Sequence, residues 1–227
     1  MAGGGGKARN VDVIQRVPED RQTRGAYDFW SRFYDRVAAP LEHGARMQAL
    51  EAAQAGDRVR ILEVAAGTGT MLTEILKRAT AASLVAGVEI SPGMIRKAQH
   101  RAPGHLIQAD ARRLPFADGV FDLLFNCYML DLMALDEIPA VLAEFRRVLE
   151  PGGLLVLVNM SKENSRQRTW FERFYRAMPT SWAAYVLGGC RPVLLRDAVA
   201  RAVFSEVRRE FISQAIPSEI VIATKPG

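Results

Sequence analysis

From Arg58 onward the chain alternates apolar runs of strand length with stretches of helical periodicity, and this alternation restricts the fold more than any other feature. "RVRILEV" reads as a first strand and "MLTEILKRA" as an amphipathic helix. "SLVAGVEI" is a second strand, and "SPGMIRKAQHRA" opens a helix with Ser91 at the N-cap and Pro92 at the first position. "HLIQAD" is a short third strand, "GVFDLLFN" a fourth, and "LDEIPAVLAEFRRVL" a helix. "PGGLLVLVNM" is a turn followed by a fifth strand, apolar enough to be central in a sheet. Such a series predicts βαβ units, a parallel sheet and helices on both of its faces. At the end of the chain, "SEVRREFIS" and "SEIVIATK" flank Pro217 too closely for a crossover helix, so these strands should pair antiparallel.

Two segments stand outside this frame. Residues 19–56 contain the aromatic, helical "YDFWSRFYDRVAAPLEHGARMQAL" and predict an N-terminal helical cap. Residues 161–204 form a long insertion before the final hairpin. Both are candidate lids, because ligands of doubly wound sheets bind beyond the carboxyl ends of the strands. Residues 1–18, beginning "MAGGGGKARN", lack an apolar signal region and read as a flexible tail or an expression scar, leaving residues 57–227 as the main domain. No apolar run approaches the roughly 20 residues that span a bilayer. Cys127 and Cys190 are too few for a disulfide framework, and His43, His100 and His105 have no metal-ligand spacing, so no metal and a cytoplasmic setting are expected. The net charge of +5 is spread along the chain and hints only at an anionic partner.

Chemistry concentrates in "ILEVAAGTGT", a strand running into a turn with Gly67 and Gly69. Glycines here let a ligand approach the backbone where a Cβ would collide. The dinucleotide fingerprint G-x-G-x-x-G is incomplete, since Leu72 occupies the third glycine position. Glu89, about 20 residues beyond the turn, ends the second strand where a carboxylate can accept ribose hydroxyls. Asp110 ends the third strand, where it can accept from an adenine amino group. Glu63 is suited either to a ligand ammonium or to bracing the loop. Three acids at successive strand ends, with no Lys or Arg in the turn, describe a pocket for a nucleoside bearing a cation rather than a diphosphate.

"ILEVAAGTG", "GVEISPGMIRKAQ", "QADARRLPFADGVFDLLF" and "EFRRVLEPGGLLVLVN" resemble successive motifs of the class I S-adenosylmethionine-dependent methyltransferases. The resemblance implies an α/β, Rossmann-like, doubly wound and mostly parallel seven-stranded sheet that ends in the antiparallel hairpin. It also implies S-adenosyl-L-methionine as cofactor. The family's first glycine is Ala65 here, a departure similar to that of the ubiquinone/menaquinone C-methyltransferases. The N-terminal aromatic segment resembles those enzymes and the bacterial phospholipid N-methyltransferases. By this resemblance Glu63, Ala65 and Gly67, with Gly69 in the same turn, would line the methionine part of the cofactor. Glu89 would hold the ribose, Ile90 and Met94 would flank the adenine, and Asp110 with Ala111 would cap its edge. Asn126 and Cys127 would lie near the methionine moiety, and Tyr34 resembles the tyrosine that closes over the cofactor.

Methyl transfer from a sulfonium needs chiefly an aligned acceptor and exclusion of water, and a general base only for a protonated acceptor. Asp131 in "NCYMLDLM", Tyr128 and His43 are the candidates for base or orienting group; Asp131 could equally cap the next helix and His43 could be a surface histidine. Arg46 suits either an anionic headgroup or a helix surface. In the insertion, Trp170 and Phe174 share a helix face opposite Arg166, Arg168, Arg173 and Arg176, with Glu172 among them. This is either an interfacial helix approaching anionic lipid or a core helix with a solvated face. The expected substrate is small and lipophilic, a quinone-precursor carbon or a phospholipid amine, with peripheral membrane contact and no nucleic acid; oligomeric state is open. A specialised-metabolite methyltransferase and a non-catalytic cofactor binder remain alternatives. The missing third glycine and Asp110 disfavour an NAD-dependent oxidoreductase. "NCYM" lacks the Asn/Asp-Pro-Pro-aromatic run of nucleic-acid base methyltransferases.

Overall fold

In the computed structural model, residues 34–163, 170–177, 179 and 190–227 are described. The tail, the first part of the expected cap, and residues 164–169, 178 and 180–189 of the insertion lie outside them. Helix α1 spans Tyr34–Ala52, and strand β1 follows at Arg60–Val64. Then come α2 (Thr70–Arg78), β2 (Leu84–Glu89), α3 (Pro92–Arg101), β3 (Leu106–Gln108) and β4 (Phe121–Cys127). They are followed by α4 (Ile138–Val148), β5 (Leu149–Met160), α5 (Trp170–Ala177), α6 (Arg196–Arg201), β6 (Ser205–Ile212) and β7 (Ser218–Thr224).

The strands form one seven-stranded sheet in the order β3-β2-β1-β4-β5-β7-β6. The five strands from β3 to β5 run parallel, and β7 pairs antiparallel with both β5 and β6, as the short connection around Pro217 requires. From β1 the chain winds outward through β2 to β3, then returns to β4 on the other side. This reversal places a crevice above the carboxyl ends of β1 and β4. Ser91 caps α3 as expected, its hydroxyl accepting from the Met94 N–H at 3.2 Å.

Every residue of β4 is buried. Successive side chains of a strand point to opposite faces. Leu124 therefore enters the core under α4 and α6, with Leu142, Phe145 and Val199, whereas Leu123 and Phe125 enter the core under α1 and α2, with Ala49, Leu72 and Ile75. Strand β5 divides the same way between Leu155 and Val156.

Two local readings change. The sequence places a turn at "PGG", but β5 begins at Leu149, before it, and continues through it. Phe121 pairs with Leu149 and Leu123 already with Leu154, so the intervening residues of β5 bulge, with Gly152 at a φ of 79°. Asp110 does not end the third strand. It lies two residues beyond β3, in an isolated bridge with Arg113.

Candidate functional site

A pocket opens at the crevice above β1 and β4. Its wall includes Tyr34, Arg46, Glu63, Ala65, Gly67, Glu89, Ile90, Met94, Asp110, Ala111, Cys127 and Tyr128, drawn from α1, the sheet and the loops beyond it. The turn after β1 forms its floor. Ala65 holds a φ of 61°, Gly67 one of 58° and Gly69 one of 79°, so three alternate residues take the left-handed conformation that a side chain disfavours. A Cβ on Gly67 would meet nothing within 4 Å, so the glycine leaves open space above the turn. Gly69 behaves differently. It does not line the pocket, and a Cβ on it would stand 3.0 Å from the Ala98 Cβ, so this glycine admits α2 against α3.

The Glu89 carboxylate is held by backbone. Its Oε2 accepts from the Gly67 N–H at 2.9 Å, and its Oε1 accepts from Ile90 and Ser91 N–H at 2.8 Å each. One carboxylate thus couples the end of β2 to the glycine turn and presents a fixed acidic face to the pocket. Glu63 is 2% exposed, and its Oε2 has no hydrogen-bond partner among the described residues. Burial pushes its carboxyl up to about 8; Arg46 pulls it down, and the Glu89 charge pushes it further up. A buried carboxyl oxygen without a partner is costly and suits a ligand that brings a hydrogen-bond donor or a positive charge.

Asp110 carries a counter-ion that the sequence reading overlooked. Its Oδ1 accepts from the Arg112 backbone N–H and Nε at 3.0 and 3.1 Å, and its Oδ2 from Nη2 at 2.8 Å. Arg112 also reaches Glu137 at 3.0 Å. The pocket's second acid is therefore neutralised locally by Arg112.

Tyr34, Glu42 and Arg46 close the opposite end as one cluster. The Tyr34 hydroxyl donates to Glu42 Oε2 at 2.7 Å and accepts from Arg46 Nη2 at 2.9 Å, and the Arg46–Glu42 ion pair closes at 2.6 Å. Positions eight and four apart on a helix share a face, a spacing that was visible in the sequence. Arg46 also donates to Thr70 Oγ1 at 3.3 Å and lies 5.3 Å from the centre of the Tyr128 ring. Burial pushes the Glu42 carboxyl up, while Arg46 and the Tyr34 hydroxyl restrain it. Arg46 is therefore not a helix-surface charge but a buried guanidinium paired with Glu42 at the pocket wall. Thr68 Oγ1 donates to Asp35 at 2.6 Å and Arg101 pairs with Asp35 at 2.9 Å, tying the start of α1 to the glycine turn and α3. Burial alone would raise the Asp35 carboxyl, but the hydrogen bonds from Arg101 and Thr68 hold it below its usual range.

The three candidate bases fare poorly. Asp131 is fully buried and outside the pocket wall; its Oδ2 accepts from the Met160 N–H at 3.0 Å. Burial raises its carboxyl to about 7, yet it bonds the end of β5 instead of facing a ligand. His43 is exposed and lines a separate groove between α1 and α2. Tyr128 does line the pocket, at a φ of 54°, but its hydroxyl shares a hydrogen bond of 2.8 Å with Ser218, and burial pushes its pKa far up. Asn126 is also displaced from its expected place. It is fully buried behind the wall, where its Nδ2 donates to the Val64 carbonyl at 2.9 Å and braces the strand before the turn. Cys127 lines the pocket with its thiol pushed up to about 12 by burial, so it is no nucleophile at neutral pH. Met129, Leu132 and Met133, absent from the sequence reading, supply an apolar wall.

In the insertion, Arg173 and Arg176 are exposed, but Glu172 is not part of a solvated face. It is fully buried and pairs with the buried Lys162 at 2.9 Å. Arg166, Arg168 and the side chains of Trp170 and Phe174 lie outside the described residues, and with them the interfacial reading. No helix among the described residues is long and apolar enough to cross a membrane.

A methyltransferase-domain family model matches residues 61–153. The chain is 37% identical over 140 residues to a malonyl-[acyl-carrier protein] O-methyltransferase of Xylella fastidiosa, covering 59% of this chain but only 46% of that protein, about half its length. It is 30% identical over 208 residues to a demethylmenaquinone methyltransferase of Thermus thermophilus, covering 79% of this chain and 91% of that protein. Among solved structures, an N-methyltransferase of Bradyrhizobium japonicum in complex with S-adenosyl-L-homocysteine superposes with a TM-score of 0.69 at 16% identity, covering 91% of this chain and 100% of the other, a likeness of fold.

Proposed function

The chain belongs to the class I S-adenosylmethionine-dependent methyltransferases, and from that premise we propose that it methylates a small, neutral, lipophilic acceptor, with the ring carbon of a quinone precursor as the leading case. The cofactor, when bound, supplies an electrophilic methyl group on a sulfonium. The residues present fit it. The carboxyl of Glu63 without a partner and the open space above Gly67 suit a cationic group pressed onto the turn. In this reading Glu89, fixed by three backbone N–H groups, takes the ribose hydroxyls. Ile90 and Met94 flank the adenine, Asp110 and Ala111 cap its edge, and Ala65, Cys127 and Tyr34 enclose the methionine end.

One observation carries the choice of acceptor: both guanidinium groups that line the pocket are already in ion pairs, Arg46 with Glu42 and Arg112 with Asp110 and Glu137. Arg46 is paired with Glu42 at 2.6 Å and buried, so the wall around it is net neutral, and its neighbours Tyr128 and Met129 are largely apolar. Such a wall favours an uncharged ring over a carboxylate or a phosphate. The chain's likeness to a demethylmenaquinone methyltransferase across 91% of that protein supports the same choice. A lipophilic acceptor is drawn most readily from a membrane surface, and peripheral contact there is part of the proposal, with the exposed Arg173 of α5 on the side offered to anionic lipid.

The side chains act by binding, orientation and exclusion of water. None of Asp131, His43 and Tyr128 offers a free base to the pocket, so their part in catalysis is withdrawn from the proposal. The test offers radiolabelled S-adenosylmethionine with a reduced demethylated quinone, a phosphatidylethanolamine vesicle or a malonyl-carrier protein. Label in the quinone fraction is expected. Label confined to the carrier-protein or vesicle arm would overturn the acceptor assignment.

A further inference from the structure

We propose that Arg191 is a positioning residue for the cofactor pocket, holding its apolar wall from outside. The inference rests on reading that pocket as the S-adenosylmethionine site. Arg191 is fully buried, among the largest such side chains of the protein, and it does not line the pocket. Its guanidinium donates to two main-chain carbonyls of the turn after β4, that of Asp131 at 3.2 Å and that of Met133. Its own backbone N–H also donates to the Asp131 carbonyl, at 3.2 Å. The first anchor lies inside a single 3-10 turn, Leu130–Leu132, and the second just after it, and the side chains at positions 129, 132 and 133 contribute an apolar wall to the pocket.

The same segment is stitched to the sheet. The Val193 N–H donates to the Met160 carbonyl at 3.0 Å, and Ser161 Oγ donates to the Val193 carbonyl at 2.6 Å. On the other side of the turn, the Asp131 carboxylate accepts from the Met160 N–H at 3.0 Å. The turn is thus gripped twice, by Asp131 onto the end of β5 and by Arg191 on its carbonyls. Burying a guanidinium is costly, and an apolar side chain would fill the space without that cost. What the apolar side chain lacks is a planar fork of donors that meets two carbonyls two residues apart; an ammonium lacks that fork as well. Residues 129–133 would otherwise be free to shift relative to β4, and the wall with them.

The consequence is a link between the returning insertion and the cofactor pocket. Arg191→Met and Arg191→Lys test it, read by calorimetric affinity for S-adenosylhomocysteine and by urea unfolding, with Asp131→Asn as the control that keeps the main-chain carbonyl. Arg191→Met should weaken the affinity at least 10-fold at a temperature where the variant is folded, Arg191→Lys about 3-fold to 10-fold, and Asp131→Asn less than 2-fold. A second reading needs no variant. In the wild type, S-adenosylhomocysteine should slow hydrogen exchange at the Arg191 and Val193 amides, though neither residue lines the pocket. Wild-type affinity in a folded Arg191 variant, or unchanged exchange at 191–193 on binding, overturns the proposal. Failure of the wild type to bind S-adenosylhomocysteine at all would instead strike the pocket assignment.

Discussion

Glu63→Gln separates the cost of a buried acid from its use. In the unfolded chain the carboxyl titrates near 4.5, and in the fold at about 8. Below pH 4.5 the group is protonated in both states and its neutral, buried form adds nothing to the pH dependence. Between pH 4.5 and 8 the folded state retains a proton that the unfolded state has lost, so stability falls by about 1.4 kcal/mol for each pH unit. The stability present at low pH is therefore lost as the pH rises through the folded value, on the order of 3–5 kcal/mol in all, and the curve is flat above it. Glutamine cannot titrate. Other acids raised by burial, such as Asp131 and Glu42, titrate in both proteins and largely cancel in the difference. Urea unfolding at half-unit steps from pH 5 to pH 9 should show Glu63→Gln gaining steadily on the wild type up to about pH 8. Its offset at pH 5 reports only the amide's hydrogen bonding; the slope is the measurement. Parallel curves would show that the carboxyl is ionised in the ligand-free protein, and the argument for a site that awaits a cation would go with it.

Asp131→Asn keeps an oxygen for the Met160 N–H and should hold kcat within about 3-fold, whereas loss of a true general base costs about 100-fold or more; steady-state rates at pH 7 and 8 distinguish the two. Gly69→Ala places a methyl 3.0 Å from Ala98 at a φ of 79° and should cost about 1–3 kcal/mol, seen in calorimetry as a Tm lowered by roughly 2–10 °C. For the buried Lys162–Glu172 pair, Lys162→Met alone should cost about 3–5 kcal/mol, while Lys162→Met with Glu172→Leu should recover most of it. A double-mutant cycle of urea unfolding gives the coupling directly, and additive losses would mean that the pair is not the reason either residue is buried.

The parts of this protein that were legible in its sequence are those governed by a local rule. Strand and helix alternation gave the order of elements, the short link around Pro217 gave the antiparallel hairpin, and Ser91 with Pro92 gave the start of α3. Each depends on residues within a few positions of one another, so one chain suffices to read it. Gly67 was legible for a related reason, since a tight turn at a strand end has few residues that can occupy it, whereas Ala65 came from the resemblance to the methyltransferase motifs.

What stayed hidden depends on partners distant in sequence. Asp131 looked catalytic because it follows a strand at the right end of the sheet, yet it is buried outside the pocket, with one carboxyl oxygen bonded to the N–H of Met160, 29 positions away. Arg46 looked like a surface charge because helices carry many, yet its partners are Glu42 on the same face and Thr70 and Tyr128 from two other elements. Glu172 read as one charge of a helix face until burial paired it with Lys162. In all three cases the residue type was read correctly and its availability was not. A charged side chain is free for chemistry only when the fold has left it without a counter-group, and among the acids of this pocket that condition is met most clearly by Glu63, whose Oε2 is buried and has no partner among the described residues. On the proposed reading of this pocket, recognition of the ligand's charge and the energetic weakness of the ligand-free fold reside in the same carboxyl.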